Sequence, residues 1–268
     1  MAAQAAHSKE GYDFDLEHAI YSAWEDEHDP VLFAAWERMH SSRKDVDYRT
    51  AQQGWSILMV AAGSPRTDAA TVRDLSVKLG CDCLAADSTG WTALHWAAFH
   101  GSKSGVIGVL EACRARDATS TAAAASGKEN DDVTGEKSSS EAAASTRVSP
   151  AQTEAVLARD SSGLTALGLA VRELAALGRE HAHAVEQKQA NAATSSEEIS
   201  ADAGARAKHM QMVREGVELL RARVADVLRP ALDSDDEVAG AVAALEKPDR
   251  SRSSSQSKSS AGTMSVSS

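Results

Sequence analysis

Beyond Phe99 the chain has no aromatic residue: all 11 of its Trp, Tyr and Phe side chains, 4% of 268 residues, lie at or before that position. Large rings dominate core burial, so the interior of the remaining chain has to be built from Leu, Val and Ala. Long apolar runs are missing as well, and none approaches the ~18 residues a membrane span needs. The amino-terminal MAAQAAHSKEGYDFD has no basic region leading into an apolar one, and Glu10, Asp13 and Asp15 precede the first Arg, so neither a secretory signal nor a transit peptide is expected. Cysteine is scarce and odd in number, at three, which does not describe a disulfide scaffold and favours a reducing compartment. Cations are in deficit: 28 Lys and Arg against 39 Asp and Glu leave a net charge of −11, which repels nucleic acid and anionic lipid in the absence of a basic patch. The expectation is a cytoplasmic or nuclear protein that binds neither membrane nor nucleic acid.

Residues 1–13 read as a flexible start. Residues 118–150 hold only Val133 and Val148 as larger apolar side chains and cannot offset the entropy of ordering, so a disordered insertion is predicted. Residues 190–204 have the same character on a shorter scale and read as a loop whose Ala and Glu content would tolerate helix. From 231 onward the chain reads as a disordered tail, first acidic (DSDDE) and then Ser-rich, with ten serines among the 18 residues from Ser251.

Between these segments a repeat is visible. Gly54-Trp55-Ser56-Ile57-Leu58-Met59-Val60-Ala61-Ala62 aligns with Gly90-Trp91-Thr92-Ala93-Leu94-His95-Trp96-Ala97-Ala98 and with Gly163-Leu164-Thr165-Ala166-Leu167-Gly168-Leu169-Ala170-Val171. Glycine permits a turn with positive φ, Ser or Thr two places on can cap a helix, and the small-residue pair lets a second helix approach. In the first unit Val72, Leu75 and Leu79 form the stripe of that second helix, which stops at Gly80; in the second unit Val106, Val109 and Cys113 repeat the spacing. Each unit is therefore turn, helix, helix.

Asp87 to Gly101 resembles the ankyrin repeat, matching D-x-x-G-x-T-P-L-H-x-A-A-x-x-G at Asp87, Gly90, Thr92, Leu94, His95, Ala97, Ala98 and Gly101, with Ala93 in place of Pro. The first unit departs at Ile57, Met59 and Pro65, and the third at Gly168 and Leu174, where its helix is expected to run on. The resemblance implies an all-α solenoid of stacked helix-turn-helix units over 14–117 and 151–230. A diverged cap is expected at residues 14–27, with Leu16, Ile20 and Trp24 on one face, followed by a helix from Asp29-Pro30 carrying Leu32, Phe33 and Trp36. At the other end one stripe of Leu167, Val171, Leu174, His181 and Val185 and another of Val213, Val217, Leu220, Val224 and Val227 or Leu228 predict a long antiparallel, coiled-coil-like pair closed by Pro230.

Candidate chemistry is thin. Thr92 and His95 sit three apart at a helix start, where the family uses the pair for stability. Cys81-x-Cys83 with Cys113, His95 and His100 lacks the ligand spacing of a structural zinc site, and the cysteines occupy apolar places in the repeat. No phosphate loop or nucleophile elbow is present. His181 is expected to face its partner helix and His183 water.

The expected function is that of a non-catalytic adaptor or scaffold, monomeric, with no cofactor or metal, which grips a protein partner by its turn tips and first-helix surface. The contact residues expected from the resemblance are Trp55, Ser88, Thr89, Trp91, Phe99, His100 and Leu164, with the two tryptophans as rigid anchors. Packing of each ring against the neighbouring tip is the competing role. A regulatory or substrate-recruiting subunit of an enzyme is the alternative, and a Cys/His metal-dependent enzyme a more distant one. Ser234, within an acidic run, and Ser253, Ser254 and Ser255, after Arg250 and Arg252, are candidate phosphorylation sites.

Overall fold

The computed structural model describes residues 17, 18, 20, 21, 46–126, 149–190, 197–232 and 234–248. The described residues are helical, with no β-strand among them. From Ile57 the order is α1 (Ile57–Gly63), α2 (Ala69–Val77), α3 (Ala93–Phe99), α4 (Lys103–Ser126), α5 (Pro150–Leu157), α6 (Ala166–Ala190), α7 (Glu197–Leu228), a 3-10 turn (Arg229–Ala231) and α8 (Asp235–Leu245).

Short polar side chains set the helix starts. Ser56 Oγ accepts from Met59 N at 3.3 Å to open α1, and Asp68 Oδ1 accepts from Thr71 N at 2.7 Å to open α2. Ser149 caps α5 with Pro150 in its first turn, the position where a missing N–H costs nothing. Gly54, Gly90 and Gly163 head the three units with φ of 73°, 84° and 76°, a left-handed conformation that a Cβ disfavours.

The first helices stack in a row, α1 on α3 and α3 on α6, while α4 packs on α2 behind them and α6 lies along α7. The core running through them is made of Ile57, Val72, Leu75, Leu94, Val106, Val109, Leu167, Val213, Val217, Leu220 and Val224, with Ile20 joined to it from the amino-terminal side. Close approach is needed where α4 meets α1: a Cβ at Gly105 would stand 1.9 Å from the Ala62 carbonyl oxygen. The expected stripe is buried from Val213 to Val224, with Val227 and Leu228 only partly buried at its end, and α6 does run on past Leu174. Leu16, Trp24 and the helix expected from Asp29-Pro30 lie outside the described residues.

Three boundaries differ from the sequence reading. α4 continues through residues 118–126, which were expected to be disordered, because an Ala-rich segment of high helix propensity can extend a helix already nucleated on the core. α7 begins at Glu197, inside the loop expected over 190–204, for the same reason. The tail expected from 231 contains α8. Its acidic run Asp235-Asp236-Glu237 forms the helix's first turn, where negative charge is favoured, and Val238 and Val242, one turn apart, are buried.

α8 closes the stack. Thr165 Oγ1 donates to the Leu245 carbonyl at 2.7 Å, and the Glu246 carboxylate pairs with Arg221 of α7 at 2.7 Å. Gly168 occupies the place that His95 has in the second unit, and a Cβ there would meet the Leu245 carbonyl oxygen at 2.9 Å. The end of α8 thus takes the space above the third unit that a side chain fills in the second.

Leu94 is fully buried, so Leu94→Ala should cost ~2–5 kcal/mol in a urea unfolding experiment. Gly168→Ala, which in an open helix would stabilise by ~0.5–1 kcal/mol, should instead lower the melting temperature. In a chain ending at residue 232 the same substitution should revert to neutral or stabilising.

Candidate functional site

The turn tips are built alike. Asp87 Oδ1 accepts from the backbone N–H of Thr89 at 2.8 Å and of Trp91 at 2.9 Å, and Asp160 Oδ1 accepts from Ser162 at 2.8 Å and Leu164 at 2.9 Å. Each tip is also tied to the one before it: Ser88 N donates to Gln53 O, and Ser161 N to Thr89 O, both at 2.9 Å. Short antiparallel bridges, Ala86 with Thr92 and Arg159 with Thr165, close the two later tips. Ser88 and Thr89 are exposed at the crest.

Behind the crest the rings meet. Trp96, almost wholly buried, stands at the centre, with ring centroids 4.9 Å from Trp55, 6.3 Å from Trp91 and 5.7 Å from His100. Trp91 lies 5.0 Å from Phe99, Phe99 lies 5.0 Å from His100, and Tyr21 extends the array with a 5.5 Å contact to Trp55. Edge-to-face contacts of this kind are favourable through the ring quadrupoles. Two carboxylates hold the indoles: Trp96 Nε1 donates to Asp87 Oδ2 at 3.1 Å, and Trp91 Nε1 donates to Asp160 Oδ2 of the next tip at 3.2 Å. Trp55, Trp91, Phe99 and His100 are all half-buried, with one side on this array and the other open. Packing and anchoring are therefore not exclusive roles for these rings.

Leu164 corrects the expectation. It occupies the position of Trp55 and Trp91 but is only 3% exposed, because it rests on Gly168 beside the end of α8. The tip surface consequently ends at the second unit. Sequence reasoning also passed over Trp96, Asp87 and Asp160 as site residues; the signal was an Asp three places before a turn glycine in two successive units.

His95 joins the second and third units from inside. Its Nδ1 accepts from Thr92 N at 3.3 Å, which fixes the proton on Nε2, and Nε2 donates to the Leu164 carbonyl at 3.2 Å. Burial lowers its pKa, opposed by the Leu164 carbonyl and the Asp160 and Asp87 carboxylates. In the first unit Met59 takes this place, its Sδ accepting from Ser56 N at 3.5 Å. His100 is pushed down to about 4, by burial and then by the nearby His209.

Ser234 is exposed and accepts from Glu237 N at 3.2 Å as the cap of α8, so it is the start of a helix rather than part of a loose tail. Ser253, Ser254 and Ser255 lie outside the described residues. On α6 His181 is half-buried, with Nδ1 lacking a hydrogen-bond partner, and His183 is exposed. Among the described residues no group of three or more His, Cys, Asp or Glu side chains converges on a point where a metal ion could sit, and no helix is long and apolar enough to cross a membrane. No protein-family model matches the chain, and no curated protein matches it.

Both imidazoles are held neutral below the ~6.5 of an unfolded histidine. Their stabilisation is complete above that pH and is lost as pH falls from there toward the folded values, because only the unfolded state takes up the proton. Urea titrations should show wild type losing more stability between pH 7.5 and pH 5 than His95→Gln/His100→Gln. His95→Ala should cost about 3 kcal/mol at pH 7.5, since it strands the Thr92 N–H and the Leu164 carbonyl.

Proposed function

We propose that the chain is an ankyrin-type repeat protein that binds a protein partner without catalysis of its own, as an adaptor or scaffold. Support for the repeat type comes from the three Gly-headed units, the hydrogen bonds between successive tips and the Thr92–His95 pair bridging two units. The observation that carries the binding role is the aromatic array. Its half-buried rings Trp55, Trp91, Phe99 and His100 come from two adjacent units; Trp96 packs against Trp55, Trp91 and His100, and Phe99 rests on Trp91 and His100, so a partner meets apolar area already ordered. Rigid aromatic anchors cost little entropy on association, and such residues dominate interface energies. Ser88 and Thr89 at the crest supply a polar rim.

Affinity capture tests this reading. Phe99→Ala/His100→Ala, shown by circular dichroism to remain folded at the capture temperature, should lose a specific co-purifying protein by tenfold or more, and Val77→Ser, on the exposed side of α2, should retain it. Equal recovery by all three proteins would sink the assignment of this surface. Trp91→Phe should weaken capture less than Phe99→Ala/His100→Ala and should cost ~1–2 kcal/mol of stability, because it removes the bond to Asp160.

A further inference from the structure

Cys83 and Cys113 are 1% and 0% exposed, and their Sγ atoms are 3.1 Å apart. They come from different elements: Cys83 from the return segment between α2 and α3, Cys113 from α4, 30 residues later. Cys81, only two places before Cys83, turns elsewhere, its Sγ donating to the Val46 carbonyl at 3.5 Å. The three thiols are thus sorted into a pair and a single.

The pair is electrically lopsided. Arg116, one turn beyond Cys113, pairs with the carboxylate of Asp82, the chain neighbour of Cys83, which brings its positive charge beside that sulfur. The Cys113 S–H contact and then this guanidinium draw Cys83 down to about 7 against the effect of its burial, with Asp82 opposing. Cys113 is raised, by its bond to Cys83, by burial and by the Asp117 carboxylate. Cys83 is thus the more readily ionised sulfur and Cys113 the one that holds its proton, which is the division of labour between an attacking and a resolving cysteine. Beside them lies a cavity of about 450 Å³ lined by Cys81, Asp82, Ala112, Arg116 and Thr119; Asp82 and Ala112 are the chain neighbours of Cys83 and Cys113, which are not themselves in its wall.

We propose that Cys83 and Cys113 form a redox-active dithiol that is closed to an intramolecular disulfide by hydrogen peroxide and reopened by a dithiol reductant. The Cys83 thiolate attacks one peroxide oxygen, the O–O bond breaks, and the departing hydroxide takes a proton to become water, leaving Cys83 as a sulfenic acid. Cys113 then attacks the Cys83 sulfur as it loses its proton, the S–O bond breaks, and a second water leaves. Two thiols give up two protons and two electrons, and one peroxide becomes two waters. The sulfurs have to close from 3.1 Å to the ~2.05 Å of a disulfide, a small shift for two side chains already in contact. The bond would staple the return segment to α4 and stiffen the junction behind the aromatic array.

The test uses the full chain, folded, treated with hydrogen peroxide, then alkylated under denaturing conditions, digested and analysed by mass spectrometry. The expected result is loss of two hydrogens, a cross-linked peptide joining the Cys83 and Cys113 segments, reversal by dithiothreitol, and a higher melting temperature for the oxidised monomer. Cys81→Ser should react as wild type does, which fixes the partner as Cys83. Cys113→Ser should trap a sulfenic acid at Cys83 that a cyclic dione captures, and Arg116→Gln should slow the reaction several-fold. Both thiols alkylated on denaturation after peroxide treatment of the folded protein, a bond at Cys81, or a disulfide between chains would each overturn the proposal.

Discussion

Tip-to-tip registry is the constraint on which the rest of this structure depends. A unit of two short helices cannot bury its apolar face alone, so each first helix has to lie against the next at a fixed height. The backbone bonds from Ser88 to Gln53 and from Ser161 to Thr89 set that height at the surface, and His95, bonded to the Leu164 carbonyl, sets it inside. With the height set, α1, α3 and α6 share one core. The carboxylates of Asp87 and Asp160 then serve twice, shaping their own turns with one oxygen and holding a tryptophan with the other.

The third unit shows how such a stack ends. A repeat array exposes an apolar face at each terminus unless something covers it. Here Gly168 removes the side chain that would reach toward a following unit, and the carbonyl end of α8 comes into that space and is bonded by Thr165. The same contact buries Leu164, and with it the tip surface loses its third apolar side chain. Termination and the extent of the candidate binding surface are in this way one structural fact.

The aromatic array and the thiol pair both depend on contacts between residues distant in the chain. Trp91 reaches Asp160 only because the third tip stands beside the second, and Cys83 meets Cys113 only because the return segment lies along α4. Surfaces made of residues from two units report on the packing between them.

Glycine spacing, the Ser and Thr caps and the apolar stripes were legible in the linear chain because they are local: a cap acts on residues three positions away, and a stripe follows from 3.6 residues per turn. The three units, the burial of Leu94 and the Val213-to-Val224 stripe followed from those rules. Helix at 118–126 and from 197 did not, since helix extension needs only propensity and a nucleus, whereas the reading looked for burial. The sequence by itself determined the all-helical class and the repeated turn-helix-helix unit. Tertiary structure alone decided that Trp96 centres the rings, that Leu164 is covered, that the acidic run starts a packed helix and that two of three cysteines meet, because each depends on which residues distant in sequence are brought within a few ångströms.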